Sequence, residues 1–441
     1  MKKAALHNLG CKVNAYESEA MGQLLRQAGY EIVPFRERAD VYIVNTCSVT
    51  NIADRKSRQM LHRAKKQNPS AVVVAAGCYV QSAAEELKKD LAVDIIIGNN
   101  KKQELISILE EYFRQNSGKT EKRVWSEHLI KIDSTKEYEA LHIDGTADHT
   151  RAFIKVQDGC NQFCSYCIIP YTRGRVRSRA PREAEQEAAS LAAAGYREIV
   201  LTGIHLSSYG MDFPESQKEN LLGLIRRLHQ IEGISRIRLG SLEPRIITEA
   251  FVSALAGLPK LCPHFHLSLQ SGCDETLKRM NRHYTTKEYA QCCSLLRSAF
   301  DNPAITTDVI VGFPGENEGE FARTKDFLRQ MGFYEMHIFK YSPRSGTRAA
   351  RMPGQIPESL KARRSEELLS LEKAMSRKYR QSFLHIPQEV LLEEETQING
   401  ISYFIGHTRE YVKIAVPGRN HQPNTLVEVI PQKLLTDEIL A

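Results

Sequence analysis

The chain contains no run of about twenty apolar residues, the length a helix needs to cross a bilayer, so no membrane partner is expected. Its first residues, Met1-Lys-Lys-Ala-Ala-Leu-His7, lead into Asn-Leu-Gly rather than an apolar stretch and a cleavage site. No secretory signal is expected, and a cytoplasmic location follows. Internal repeats and long low-complexity tracts are also missing, which sets aside repeat arrays and biased linkers. Extreme charge is absent too: +7 over 441 residues permits a polyanionic partner without requiring one.

Cysteine is present in quantity, ten residues in all. In a reducing compartment that many thiols more readily serve metals than disulfides. Three of them, Cys160, Cys164 and Cys167, stand in the run Val156-Gln-Asp-Gly-Cys-Asn-Gln-Phe-Cys-Ser-Tyr-Cys-Ile-Ile-Pro170. A structural zinc site wants four closed ligands, usually two pairs, and no second pair follows at suitable spacing. Three thiolates on a four-iron cluster leave one iron open, where chemistry can happen. Zinc completed by a distant residue, or plain reduced thiols, are the alternatives. With Tyr166 just before its last cysteine, the triplet resembles the signature of the radical SAM superfamily, which draws radical chemistry from S-adenosylmethionine (SAM).

At 42% hydrophobic content the chain can build two or three domains, each with its own core. Over residues 1–112, strand-like runs at Lys3–Asn8, Val41–Asn45, Val72–Ala76 and Asp94–Ile97 alternate with helical patterns near Val13–Ala28, Asn51–Gln67 and Ser82–Lys88. That alternation predicts a parallel α/β sheet. Cys11, Cys47 and Cys78 each lie just beyond one of those strands, and the carboxyl ends of parallel strands share one edge. They would converge into a second three-thiolate site. The plainer alternative is that small cysteines merely pack at strand ends.

Residues 113–147 read as a polar linker, including Arg114-Gln-Asn-Ser-Gly-Lys-Thr-Glu-Lys-Arg123. Residues 148–376 then offer strands at Arg151–Val156, Glu198–Thr202, Ile234–Leu239, His264–Gln270, Ala304–Val311 and Tyr334–Tyr341, with helices such as Arg182–Ala194 and Glu318–Met331 between them. Six such units predict a partial (β/α)6 barrel whose site lies in the loops after its strands. A charged amphipathic stretch, Pro357–Phe383, leads into residues 377–441, where short β-like runs predict a small all-β barrel. Small barrels often hold oligonucleotides, though a fold alone does not establish binding.

An α/β domain with three strand-end cysteines, a radical SAM core and a terminal β-barrel together resemble the methylthiotransferase family from end to end. The resemblance implies a TRAM-like terminal domain, a tRNA partner read at its anticodon stem-loop, and methylthiolation of an unactivated carbon. It implies two [4Fe-4S] clusters with SAM as cofactors, one on Cys160, Cys164 and Cys167 and one on Cys11, Cys47 and Cys78. It also implies an electron donor such as flavodoxin or ferredoxin, and a sulfur donor. Tyr166, Thr202, Gly203, Glu243, Ser268, Gln270, Ile310 and Gly312 fall on loops that would cradle SAM in such a core; each is equally readable as a packing or turn residue.

Within the family, Tyr171-Thr-Arg-Gly-Arg-Val-Arg-Ser-Arg179 and Leu201-Thr-Gly-Ile-His-Leu-Ser-Ser-Tyr-Gly210 resemble the branch that modifies carbon 2 of threonylcarbamoyl-adenosine beside the anticodon. Its threonylcarbamoyl group carries a carboxylate, for which arginine offers a forked, charge-assisted clamp. Arg173 and Arg175 are the expected substrate-binding residues, while Arg177 and Arg179 are as readily a solvated or phosphate-contacting run. The basic helix Asp54–Lys66 is expected to be a solvated face more than an RNA contact. His205 and His266 are expected to be satisfied structural histidines, and Cys262, Cys273, Cys292 and Cys293 idle or core thiols. Competing readings are the isopentenyl-adenosine branch, the branch acting on a ribosomal protein, and a zinc-bearing RNA-binding protein without turnover.

Overall fold

A computed structural model describes residues 1–116, 126–145, 150–418 and 421–441. In the first domain, β1 (Lys3–Asn8), β2 (Glu31–Ile32), β3 (Val41–Thr46), β4 (Val72–Gly77), β5 (Ile95–Ile97) and β6 (Ser126–His128) form one sheet, ordered β2-β1-β3-β4-β5-β6 and parallel throughout. Every position of β3 and β4 is buried, as continuous apolar runs require when helices cover both faces of a sheet. Helix α1 (Lys12–Gln27) packs Met21 and Leu25 on one face, and α2 (Asn51–Gln67) packs Leu61 and Ala64 on the other. The Thr50 side chain accepts the Ala53 N–H and starts α2. Strand order reverses between β1 and β3, the place in an open parallel sheet where a crevice forms. Cys11 and Cys47 follow those two strands.

The stretch 113–147, expected to be linker, supplies the sixth strand of this sheet: Ile95 to Ile97 pair with Ser126 to His128. Ser-Glu-His on a sheet edge has no apolar alternation to announce it. Residues 117–125 of that stretch lie outside the described residues.

In the second domain β7 (Arg151–Asp158), β8 (Arg177–Ser178), β9 (Glu198–Gly203), β10 (Arg236–Leu239), β11 (His264–His266), β12 (Ala304–Val311) and β13 (Glu335–Lys340) are strands. Two sheets, β10-β9-β7-β8 and β11-β12-β13, are joined by the parallel bridges Ile237–Leu261 and Leu242–Leu267. Leaving aside the short antiparallel β8, six parallel strands make the expected open barrel. β11 stops short of the expected Gln270, whose φ of 71° breaks the extended run.

The helix Glu358–Gln381 crosses the expected 376/377 boundary and leads to the antiparallel sheet β14 (Gln388–Ile398), β15 (Ile401–His407), β16 (Lys413–Pro417) and β17 (Leu426–Val429), ordered β16-β15-β14-β17. It docks on the strand starts of the barrel. Arg236 donates to the His407 carbonyl at 2.9 Å and Arg238 to the Arg409 carbonyl at 2.8 Å. Tyr411 stacks on His407 and His264, with the Arg151 and Arg238 guanidiniums 4.6 and 4.8 Å from its ring. The opposite end of the barrel is left for the cysteines.

There the first domain meets the barrel through buried charge. Glu17 on α1 lies 3.1 Å from Lys102, 2.8 Å from Lys155 and 2.9 Å from Arg173, and Asp158 lies 2.6 Å from Lys155 and 3.0 Å from Arg173. Burial pushes the Glu17 carboxyl up, but the Arg173, Lys102 and Lys155 charges outweigh it and hold the carboxyl well below the usual carboxylate range. Removing one partner of such a network leaves uncompensated buried charge, at a cost of about 3–5 kcal/mol. Glu17→Ala is therefore expected to lower the unfolding free energy extrapolated from urea titration by that amount. A depressed carboxyl stabilises the fold above its unfolded value of about 4.3 and loses that contribution as pH falls through the lower folded value. Wild-type stability should thus drop more steeply in acid than that of Glu17→Gln, as urea titrations at stepped pH would show.

Candidate metal and cofactor site

β7 delivers the first triplet through a turn at Gly159. Its φ is 69°, and a Cβ added there would stand 1.8 Å from the Arg175 carbonyl oxygen, so only glycine lets the two segments cross. The Cys160 N–H donates to the Gly174 carbonyl and the Cys167 N–H to the Cys164 carbonyl, each at 3.0 Å. Two donors aim at sulfur: the Gln162 N–H at Cys160 Sγ, 3.5 Å, and Arg282 Nη1 at Cys164 Sγ, 3.3 Å. Burial pushes the Cys160 thiol up to about 11 and the Cys167 thiol higher, and the charge on Cys164 raises both further. Metal ligation needs the thiolate, so loading this triplet releases protons.

The second triplet assembles at the β1/β3 crevice. A Cβ on Gly10 would come within 2.9 Å of Cys47 Cβ, which measures how closely the Cys11 loop crosses Cys47. Cys78 opens the short helix α3 (Cys78–Ser82), and its Sγ receives Asn99 Nδ2 at 3.6 Å and Arg173 Nε at 3.2 Å. Burial pushes the Cys47 thiol up to about 12 and also raises Cys11; Cys78 adds to both. Cys11 is exposed, but into a cavity that protein surrounds.

The surrounding charge suits a negative cluster on these sulfurs. Lys102, Lys155, Arg173 and Arg177 meet the carboxylates of Glu17, Asp158 and Glu139, which leaves one positive charge over among these residues. Arg173 Nε presents it to Cys78. Guanidinium–sulfur contacts at both triplets are what bound, anionic cluster thiolates call for.

Both triplets reach one cavity of about 380 Å³, where Cys11 and Cys167 share the wall with Tyr166, Gln270 and Ile310. Val49 and Thr50 contribute from the first domain, Tyr341 and Ser342 from the barrel. Arg344 ties these sides together through Asn51 at 2.7 Å, Ser48 at 2.9 Å and Asp54 at 2.5 Å. A larger groove of about 770 Å³ runs between β13, the helix Glu358–Gln381 and the last domain, but no cysteine lines it. The smaller cavity is the one where sulfur ligands meet.

Of the residues expected around SAM, Tyr166, Gln270 and Ile310 line this cavity. Thr202 and Gly203 close β9, and the carboxylate of Glu243 accepts Arg245 Nε at 2.8 Å. Ser268 offers its carbonyl to Tyr284 at 2.7 Å. Gly312, with φ 70°, packs against the Lys361 side chain rather than the cavity.

Arg173 does not fit the substrate role expected of it. It is fully buried, its guanidinium taken up by Glu17, Asp158, Asn14 and Cys78, with no face left for a carboxylate. Arg177 and Arg179 are not a solvated run either. Both are buried, Arg177 on the Arg173 and Arg175 carbonyls and Arg179 on Glu187. Only Arg175 is exposed among the four, its guanidinium 4.5 Å from the Phe163 ring centre. His205 is half-satisfied: Nδ1 meets Ser208 Oγ at 2.6 Å, while Nε2 is buried without a partner among the described residues. The four remaining cysteines are buried thiols, as expected. Arg282, Asn99 and Arg344 escaped sequence reading because nothing local distinguishes them from other polar loop residues.

Residues 3–98 match the Uncharacterized protein family UPF0004, and residues 154–328 the Radical SAM superfamily. The chain is 40% identical over 434 residues to the threonylcarbamoyladenosine tRNA methylthiotransferase MtaB of Bacillus subtilis (strain 168), covering 97% of this chain and 93% of that one. It is 35% identical over 408 residues to the tRNA-2-methylthio-N(6)-dimethylallyladenosine synthase of Clostridium botulinum (strain Loch Maree / Type A3), covering 91% and 88%. Among solved structures, the radical S-adenosylmethionine methyltransferase TsrM from Kitasatospora setae shares the fold, with a TM-score of 0.55 and 16% identity over 77% of this chain and 73% of that one. SAM and two [4Fe-4S] clusters are the cofactors, and the paired cysteine triplets suit them. The chain belongs to the radical SAM tRNA methylthiotransferase family.

Proposed function

We propose that this enzyme methylthiolates carbon 2 of threonylcarbamoyl-adenosine beside the tRNA anticodon. The observation that carries this reading is one cavity reached by both cysteine triplets, in a chain 40% identical to threonylcarbamoyladenosine tRNA methylthiotransferases. Cys160, Cys164 and Cys167 hold one cluster, and Cys11, Cys47 and Cys78 the other. Carbon 2 is an unactivated C–H, and SAM at a reduced cluster supplies the radical able to open it.

The chain's own groups bind and orient. Arg282 fixes the Cys164 sulfur and Arg173 the Cys78 sulfur. Tyr166, Gln270 and Ile310 shape the wall against SAM and the base. Burial, with the Arg282 and Arg245 charges adding to it, lowers His205 to about 4, so at neutral pH its unpartnered Nε2 is a neutral group for a polar partner. Arg175 is the arginine left to meet the threonylcarbamoyl carboxylate. Helix α2, which starts beside Thr50 in the cavity wall, exposes Arg55, Lys56, Arg58 and Arg63, placed to meet the phosphates of an approaching stem-loop. Among the described residues no helix is long and apolar enough to cross a membrane. A cytoplasmic site of action, with flavodoxin or ferredoxin as reductant, agrees with a tRNA substrate.

The test is anaerobic reconstitution with reductant, SAM, sulfide and tRNA bearing threonylcarbamoyl-adenosine, read by nucleoside mass spectrometry with isopentenyl-adenosine tRNA in parallel. A methylthio adduct on the first alone supports the proposal, and an adduct on the second alone transfers the enzyme to the other branch. Cys164→Ala is expected to abolish 5′-deoxyadenosine release. Cys47→Ala should retain that release and lose the methylthio product; loss of both in each variant would argue against separate roles. A charge-assisted hydrogen bond is worth about 1.5–3 kcal/mol. Arg175→Glu should therefore cut turnover on threonylcarbamoyl-adenosine about tenfold or more, while substrate-free SAM cleavage stays near wild type. Equal losses in both reactions would remove Arg175 from substrate reading.

A further inference from the structure

A further set of side chains of metal-ligating type gathers on β11, β12 and β13, apart from the six cysteines, with His266 and Asp308 half-buried and His337 exposed. β11, β12 and β13 are adjacent and parallel, with His266 opposite Thr306 and Asp308 opposite His337. Side chains alternate along a strand, so these four positions share the face turned to the barrel lumen. One ligand atom from each of His266, Asp308 and His337 lies within 4.8 Å of the others. His266 Nε2 stands 3.3 Å from Asp308 Oδ2, and the centres of the two imidazole rings are 5.7 Å apart with their planes inclined by 28°.

Three features favour a cation over a simple ion pair. His266 Nδ1 lies 2.9 Å from Thr306 Oγ1, the outer hydrogen bond that orients a ligating imidazole. When Nδ1 is bonded to Thr306, Nε2 is the ring nitrogen left to ligate, and it is the one turned toward the Asp308 carboxylate. The 3.3 Å separation is also the edge, roughly 3.3 Å, of a tetrahedron with metal–ligand bonds of about 2.0–2.1 Å. Finally, an ordinary His266–Asp308 pair has no use for His337, a second imidazole brought within reach from the next strand.

We propose that His266, Asp308 and His337 form a binding site for a first-row divalent transition metal. Two imidazoles and one carboxylate are a donor set suited to Zn²⁺, Fe²⁺ or Co²⁺ with coordination positions left open. Asp308 lines the same cavity as Cys11 and Cys167, while His337 lines the larger groove beside the last domain, so the site lies between the two spaces. Oxygen donors are the class of ligand that completes such a site, water in the resting enzyme and a carboxylate or hydroxyl of a bound molecule in its place.

The test uses the full chain with both clusters assembled, so that cluster thiolates do not compete, dialysed anaerobically to equilibrium against Co²⁺. Bound cobalt is counted by plasma mass spectrometry, which separates it from cluster iron. Wild type is expected to retain one equivalent. His337→Ala, at an exposed position where truncation leaves the core intact, and Asp308→Asn, which preserves shape, should each weaken binding more than tenfold. Thr306→Val, which removes only the outer hydrogen bond, should weaken it about tenfold. No retained equivalent in wild type, or an affinity unchanged in either ligand variant, overturns the proposal. Because metal content is read rather than methylthiolation, failure here leaves the assigned reaction standing.

Discussion

The contact of the Arg173 guanidinium with Cys78 sulfur, and with the carboxylates of Glu17 and Asp158, is the constraint on which the arrangement of the two sulfur sites depends. Arg173 follows the first triplet in the barrel, whereas Cys78 and Glu17 belong to the first domain. One planar cation therefore fixes the position of each triplet relative to the other. Lysine could supply the charge but not the planar fork of five donors that reaches Cys78, Glu17, Asp158 and Asn14 together. Buried ion networks are poor sources of net stability, since well-packed apolar groups of the same volume often do as well. What apolar packing does not supply is a donor aimed at sulfur from a second domain.

The same logic recurs on the far wall. Arg344, beyond β13, reaches Ser48, Asn51 and Asp54 at the start of α2. Arg173 and Arg344 thus close the domain boundary around a cavity whose wall alternates between residues of the two domains. A cavity built this way is shaped by the docking of two folds, so its form depends on charge pairs as much as on either hydrophobic core. Apolar packing crosses the boundary through α1, whose Tyr16 and Ala20 join the barrel's core, while the two faces of the first sheet keep clusters of their own.

Strands and their order of appearance were largely legible in the sequence, because parallel strands covered on both faces announce themselves as unbroken apolar runs. β1, α2, β12 and the helix Glu318–Met331 begin and end where periodicity places them. β6 was not legible: three polar residues on a sheet edge carry no pattern. The six cysteines were readable from spacing and from their places after strands. The arginine loop was misread, since a run of Arg at alternate positions has the same composition whether it faces water or carboxylates from elsewhere in the fold. Glu17 sits 156 residues from Arg173 in the chain, and no local pattern marks such a pairing.

β10 shows why the last domain is held on the strand starts of the barrel. In Arg236-Ile-Arg-Leu239 alternation puts the two arginines on one face and the two apolar residues on the other, and all four are buried. Burying two guanidiniums is costly unless every charge is met, and Glu198, Glu389 and the carbonyls of His407, Thr408 and Arg409 meet them. Most of those acceptors belong to the last domain. The strand starts are therefore satisfied only when that domain is docked, and Tyr411, held between His407 and His264, adds ring stacking to the dock. A terminal domain bound in this manner is part of the barrel floor rather than a tethered module. Its position relative to the sulfur sites is then set by the barrel itself, so the small sheet and the cavity stand in one fixed geometry.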